Sequence, residues 1–240
     1  LFSDMVVFTS YATQVISAVM MSTGILRCLP RVMVSSRRIE EVVTHEPSVT
    51  DGPGAPDTGI QGEVRFEDVS FTYPGTDREV LSHVTFSASP GETVAVIGPT
   101  ASGKSSLVNL VPRLYDVTSG RVTVDGVDVR EYRLEDLYSR IGYVPQTPVV
   151  FKGTVRENVA YGGADGATDR EVERALGIAQ LLDHVRTMPE GIDTDLSQHG
   201  WSLSGGQRQR LAIARAVCRK PSIYIFDDTF SALDYRTDRD

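Results

Sequence analysis

Gly98-Pro99-Thr100-Ala101-Ser102-Gly103-Lys104-Ser105 sets two glycines, a lysine and a serine at the spacing G-x-x-x-x-G-K-[ST]. That spacing belongs to a loop that wraps the phosphates of a nucleotide. Small residues let successive backbone N–H groups curl around phosphate oxygens, and a helix starting at the lysine adds its positive end. Lys104 is expected to reach the β- and γ-phosphate oxygens, the Ser105 hydroxyl to ligate Mg²⁺, and Ser106 to complete the phosphate-binding stretch. Far downstream, the apolar run Ile223–Phe226 ends in Asp227-Asp228. An acid at the C-terminal end of a buried strand faces such a loop across the sheet edge, so Asp227 is expected to hold Mg²⁺ through water.

A second anion-shaped feature is Leu203-Ser204-Gly205-Gly206-Gln207. Ser204 supplies a hydroxyl, and Gly205-Gly206 bare two backbone N–H groups where an amphipathic helix, Gly205–Cys218, begins.

Positioning these residues requires particular elements. Thr93–Ile97 is a short, almost wholly apolar run, expected as a strand buried on both faces of a sheet that feeds the glycine-rich loop. Lys104–Leu110 begins a helix. Val64–Phe71 alternates as an edge strand would, and Val80–Ser87 is a second strand candidate. Val-Asp-Gly-Val within Gly120–Val129 signals a hairpin. Arg140–Val144 is a further short strand, Asp165–Met188 is expected to be mainly helical, and Ile223–Phe226 is the last buried strand. A strand–loop–helix followed much later by an apolar strand ending in acid predicts a parallel α/β core, with the intervening helices as a separate lobe.

The chain has 240 residues and a formal net charge of −8, room for one large domain or two small ones. The acidic balance argues against a nucleic-acid partner, which calls for a basic footprint. Cys28 and Cys218 are far apart and match no metal spacing.

Between Asp4 and Arg27 there is no ionisable Asp, Glu, Lys, Arg or His. Met5–Leu26 is long enough to cross a bilayer core as a helix. Thr9, Thr13 and Ser17 recur at i, i+4, i+8 with Ser10 and Gln14 beside them, as in a span packed among other spans. Arg27, Arg31, Arg37 and Arg38 crowd the C-terminal flank and place that end in the cytoplasm. A buried soluble helix is the other reading. A signal peptide fits poorly, because Leu1-Phe2-Ser3-Asp4 is not basic. Without an initiator Met, the chain is expected to begin inside a longer protein. Arg31–Val43 should continue as a helix past Pro30, the place for a kink. Glu46–Gly62, with Pro47, Gly52, Pro53, Gly54, Pro56, Gly59 and Gly62, reads as a linker. The expected organisation is thus 1–45 span and extension, 46–62 linker, 63–240 nucleotide-binding domain.

The phosphate loop, then Leu203–Gln207, then Asp227-Asp228 resembles the ATP-binding cassette (ABC) ATPases over roughly residues 62–240. The resemblance implies a P-loop α/β cassette with an antiparallel β subdomain and a helical subdomain. It implies that Tyr73, in Phe71-Thr72-Tyr73-Pro74, stacks on adenine. Gln146, after Tyr143-Val144-Pro145, matches the glutamine that reaches Mg²⁺ and the attacking water. Lys104, Gln146 and Asp228 are then the catalytic set. Asp228 stands where most active members carry Glu; it is one methylene shorter, which implies slow turnover. Leu203–Gln207 looks like the signature motif, which in this family faces the γ-phosphate held by an opposing cassette. Ser231-Ala232-Leu233-Asp234 matches the D-loop that crosses that interface. Asp195–Gly200 resembles an exporter-type loop that meets the membrane domain, with Ser197 and Gln198 departing from the usual Gly and Glu. The family's switch histidine is expected beyond Asp240, so His45, His83, His184 and His199 take no such role.

Span, linker and cassette in one chain resemble an ABC exporter half-transporter of the cell membrane. That implies ATP and Mg²⁺ as cofactors, the lipid bilayer and a transported small molecule as partners, and a second half-transporter. The weakened acid beside an intact signature implies that this second half is a different chain bearing the catalytic Glu. A soluble ABC ATPase acting on translation or DNA, and a silent regulatory cassette, are the alternatives.

Overall fold

The long run without ionisable side chains becomes helix α1, Phe2–Val43, in a computed structural model that describes residues 2–56, 59, 61–161, 163, 166–196 and 203–229. The chain divides into two compact units, Leu1–Ser48 and Val49–Asp240. In the first, the 42 residues of α1 extend about 63 Å, twice the apolar thickness of a bilayer. Among the described residues this is the one helix long and apolar enough to cross a membrane. Its hydroxyls satisfy themselves inside the helix: Thr9, Thr13, Ser22 and Thr23 each donate to the carbonyl four residues back, at 2.8–2.9 Å. Such bonds let polar side chains sit in an apolar surround without orphaned donors. Pro30 lies within α1, which continues past it as expected.

The second unit opens with strands β1, Val64–Thr72, and β2, Glu79–Ala88. Helix α2, Lys104–Leu110, follows, then β3, Ser119–Val124, and β4, Val127–Asp128. Among the described residues these strands form a four-stranded antiparallel sheet in the order β2-β1-β3-β4. β1 is therefore interior, not the edge strand its alternation predicts, because Phe66 pairs with Phe86 on one side and Val122 on the other. One face carries Val64, Phe66, Val69, Phe71, Val122 and Val124 into a core shared with Leu107 and Leu110 of α2. The hairpin expected at Gly120–Val129 turns at Asp125-Gly126, whose φ values of 50° and 81° are those of a tight turn matched to strand twist.

Next come α3, Leu134–Arg140, and β5, Ile141–Val144. A helical group follows: α4, Val155–Ala160, α5, Asp169–Ile178, α6, Leu182–Arg186, and a 3-10 turn at Gly191–Asp193. The chain then makes α7, Gly205–Cys218, and β6, Ile223–Phe226. Val155, Val159, Val172, Leu176, Leu211 and Ala214 give the helices their own core. Thr154, Thr168 and Ser204 start α4, α5 and α7 with reciprocal capping boxes to Glu157, Glu171 and Gln207.

Glu171 is also bonded to Lys220 beyond the end of α7. The Lys220 ammonium first, then the Thr168 backbone and hydroxyl, hold its carboxyl down to about 2 from an ordinary 4.5. A depressed acid lends stability that is complete above its unfolded value and is lost as pH falls toward the folded one. Stability is therefore expected to drop between about pH 5 and pH 2, and Lys220→Met should flatten that slope. Urea unfolding across this range checks it, and high salt should blunt the difference because the pair is exposed.

Two segments depart from simple expectation. Thr93–Ile97 is not a buried strand: among the described residues it joins no ladder, and it is exposed throughout, Ile97 to 93%. An apolar run is buried on both faces only when strands flank it, and β5 and β6 pair with each other rather than with this run. The segment expected as a linker is hydrogen-bonded along much of its length. Thr50 O accepts from Arg113, Asp51 Oδ1 accepts from Leu134 N at 2.8 Å at the start of α3, and Gly52 N and Gly54 N donate to Tyr132 O and Glu131 O. A side chain at Gly52 would stand 2.5 Å from Arg130 O, so the close approach requires glycine. At its far end, Asp125 Oδ1 accepts from the N–H groups of Gln61, Gly62 and Glu63, while Oδ2 meets Arg140 at 2.7 Å.

Candidate functional site

Parallel pairing of β5 and β6, with Val144 opposite Phe226, ends both strands at one edge. Residues just past parallel strands form the usual ligand crevice of such sheets. Asp227 N donates to Val144 O at 3.0 Å, and Thr229 Oγ1 reaches the same carbonyl at 3.3 Å. Gln146 therefore emerges beside Asp227-Asp228, and its Nε2 donates to Asp228 Oδ2 at 2.9 Å. Asp228 has φ 47°, a left-handed conformation that Asp tolerates better than longer side chains do.

The glycine-rich loop is exposed from Gly98 to Ser102 and curls through left-handed Ala101 and Gly103, φ 63° and 91°. Adjacent turns of this kind point N–H groups inward to make an anion nest. Lys104 Nζ lies over its own loop, donating to Gly98 O at 2.8 Å and Pro99 O at 2.9 Å. Ser102 N bonds Pro99 O at 3.3 Å, which leaves Thr100 at the exposed tip of the loop.

Ser105 Oγ donates to Asp227 Oδ1 at 2.8 Å, although 122 positions separate them. A hydroxyl and a carboxylate side by side at a phosphate loop are the hard oxygen donors that Mg²⁺ takes, so the residues fit that ion. Gln146, through its side-chain oxygen, is the third candidate donor. Tyr143 closes the group: its hydroxyl donates to Asn109 Oδ1 at 2.9 Å and lies 3.4 Å from Asp227 Oδ2. Burial, and then the Asp227 charge and hydrogen bond, push this phenol up to about 12, so it stays protonated.

Tyr73 packs edge-on against Phe71 and Tyr115, with ring centroids 4.8 and 5.1 Å away, and its hydroxyl meets buried Ser106 Oγ at 2.8 Å. Tyr73 and Ser106 thus brace each other at the flank of α2.

Leu203–Gln207 forms the start of α7. Leu203 is buried, Ser204 Oγ accepts from Gln207 N, and Gln207 Oε1 accepts from Ser204 N at 2.8 Å. A Cβ at Gly205 would meet nothing within 4 Å, so this helix N-terminus is open to an incoming group. About one turn on, Gln209 is 1% exposed and donates to Pro145 O at 3.3 Å, tying the helix to the residue before Gln146. Asn158 and Arg215 belong to no motif of the sequence, and Gln209 is one residue of the polar run Gln207-Arg208-Gln209-Arg210. Buried Asn158 bonds Phe151 N and O, and Arg215 reaches Asn158 O and Val149 O while lying over the Phe151 ring at 4.7 Å. Burial lowers the Arg215 guanidinium pKa. A polar run on an otherwise amphipathic helix was the available signal.

The expected D-loop residues Ser231, Ala232, Leu233 and Asp234 lie outside the described residues, as do Ser197, Gln198 and Gly200. Asp195 bridges Thr154, and Leu196 N donates to Gly153 O at 2.8 Å.

Comparison with known proteins gives the same frame. The family described as ABC transporter matches residues 81–231. An uncharacterized ABC transporter ATP-binding protein of Mycobacterium tuberculosis H37Rv is 49% identical over 239 residues, covering 98% of this chain and 41% of that protein. An ATP-dependent lipid A-core flippase of Pseudomonas fluorescens Pf0-1 is 38% identical over 236 residues, 98% of this chain and 39% of its own. Among solved structures, a bacterial Atm1-family ABC exporter with ATP bound superposes with TM-score 0.78 at 36% identity, covering 89% of this chain and 37% of that one. The chain spans about two fifths of the length of these relatives.

Proposed function

Because this chain belongs to the ABC transporter family and carries its α/β cassette preceded by a long apolar helix, we propose that it is the ATP-binding part of a membrane exporter. The observation that carries this reading is the joining of Ser105, Asp227, Gln146 and Asp228 at one sheet edge, in a chain that also holds α1, long and apolar enough to cross a membrane. The flippase and exporter relatives support export as the direction. α1 then spans the cell membrane and the cassette lies in the cytoplasm.

In this reading the residues divide the work. The loop Gly98–Ser105 binds the phosphates through its N–H groups, and Lys104 leaves the Gly98 and Pro99 carbonyls to meet phosphate oxygens. Ser105, Asp227 and Gln146 would hold Mg²⁺, which would supply charge neutralisation of the phosphates. Tyr73 stacks on the base. Ser204, Gly205 and Gly206 face the nucleotide of a second cassette, so closure on ATP needs two domains and turns the membrane helices.

Asp228 makes the two sites unequal. Its side chain is one methylene shorter than Glu and is held by Gln146, and a displacement of about 1 Å at the base costs on the order of 100-fold. The second cassette therefore belongs to a different chain with Glu at this position, and the site described here mainly retains ATP. In the full pair, the partner's Glu→Gln change should abolish most turnover. Adding Asp228→Glu to that background should restore about 10-fold or more, limited by the left-handed backbone at 228. Unimpaired turnover after the partner's substitution would sink the unequal-site reading.

A further inference from the structure

The metal-site carboxylate is hydrogen-bonded on one oxygen by Ser105 and flanked on the other by the Tyr143 phenol, whose one proton lies between Asn109 Oδ1 and Asp227 Oδ2. Ser105 Oγ donates to Asp227 Oδ1 at 2.8 Å. Ser105 and Asn109 stand four residues apart in α2 and so share one face of that helix. Asn109 Oδ1 accepts the Tyr143 hydroxyl at 2.9 Å, and this fixes the phenol oxygen 3.4 Å from Asp227 Oδ2. Tyr143 reaches that point from β5, whose parallel ladder sets Tyr143 opposite Ile225, two residues before Asp227. Three elements, α2, β5 and β6, thus converge on one carboxylate.

We infer that Tyr143, oriented by Asn109, is a positioning residue that sets the Asp227 carboxylate for Mg²⁺. The inference rests on the reading of Asp227 as the metal-holding acid. The Ser105 hydroxyl can give a lone pair to the ion while its O–H still donates to Oδ1, and the Tyr143 phenol is the group beside the other oxygen, Oδ2. Neighbours that orient a metal-holding carboxylate commonly account for 10- to 100-fold in metal affinity. Among the described residues, the Asn109 side chain reaches the carboxylate through Tyr143.

The test titrates MgCl₂ against ATP binding by the full chain, with ATP binding in EDTA as the metal-free reference. Tyr143→Phe is expected to lower Mg²⁺ affinity about 10-fold while metal-free ATP affinity and the apo melting temperature stay as in wild type. Asn109→Leu should act in the same direction, and the double variant should be no worse than Tyr143→Phe alone. Wild-type Mg²⁺ affinity in Tyr143→Phe overturns the inference. So does a parallel loss of metal-free ATP affinity, which marks a purely structural role, and so do additive losses from the two substitutions. If wild-type ATP binding shows no Mg²⁺ dependence at all, the reading of Asp227 falls together with it.

Discussion

Lys104→Ala is expected to weaken ATP binding about 1000-fold. In the structure the ammonium is parked on the Gly98 and Pro99 carbonyls, at 2.8 and 2.9 Å. These are bonds to neutral acceptors in an exposed loop, and they are easily exchanged. Phosphate oxygens offer charge-assisted bonds worth about 1.5–3 kcal/mol each. Two of them amount to about 4 kcal/mol, which is about three decades of affinity. Lys104→Arg should not recover the loss, since a planar fork does not fit where a point charge enters a tight nest. Because the side chain is not part of the core, the apo unfolding midpoint should barely move. Isothermal titration with ATP decides it: a loss below 10-fold would remove Lys104 from the phosphate contacts.

The largest stability effect is expected away from the nucleotide. The Asp125 side chain is 1% exposed and faces Arg140, itself 11% exposed. Its other oxygen collects the N–H groups of Gln61, Gly62 and Glu63, so one carboxylate joins the hairpin turn, α3 and the segment entering β1. Removing one partner of a buried pair strands the other charge and costs about 3–5 kcal/mol. Asp125→Ala should lose that much in urea unfolding, part of it from placing Ala at φ 50°. Asp125→Asn keeps an acceptor and tolerates the left-handed backbone, so it should lose clearly less. Protease cleavage within 49–63 should accelerate in the alanine variant, because the segment is held by these bonds. An alanine variant as stable as wild type would show that the clamp contributes nothing net.

These two residues mark how differently site and scaffold could be read in advance. Lys104 belongs to a motif whose spacing is local, since phosphate binding needs consecutive N–H groups followed by a lysine. Leu203–Gln207 is readable for the same reason: its serine, its two glycines and the helix they open are consecutive in the chain. Asp125 looked like half of an Asp-Gly turn, which it is. Its second role, as anchor for residues 61–63, depends on partners more than sixty positions away. Tyr143, Asn109 and Gln209 were silent in the same way. Each is an ordinary strand or helix residue until another element places an acceptor beside it.

Thr93–Ile97 shows the reverse failure. Its composition predicts a buried strand, yet composition only states what a segment would do if flanked, and among the described residues no strand pairs with it. Local spacing by itself determined the family and the long apolar helix, and it marked the residues on which the proposed nucleotide chemistry rests, because each is written in residues close together in the chain. The tertiary structure alone decided that Ser105 meets Asp227, that Gln146 holds Asp228, and that Asp125 clamps the segment before β1. Those contacts arise from parallel strands and packed helices that bring distant residues within about 3 Å, a distance that sequence order does not encode.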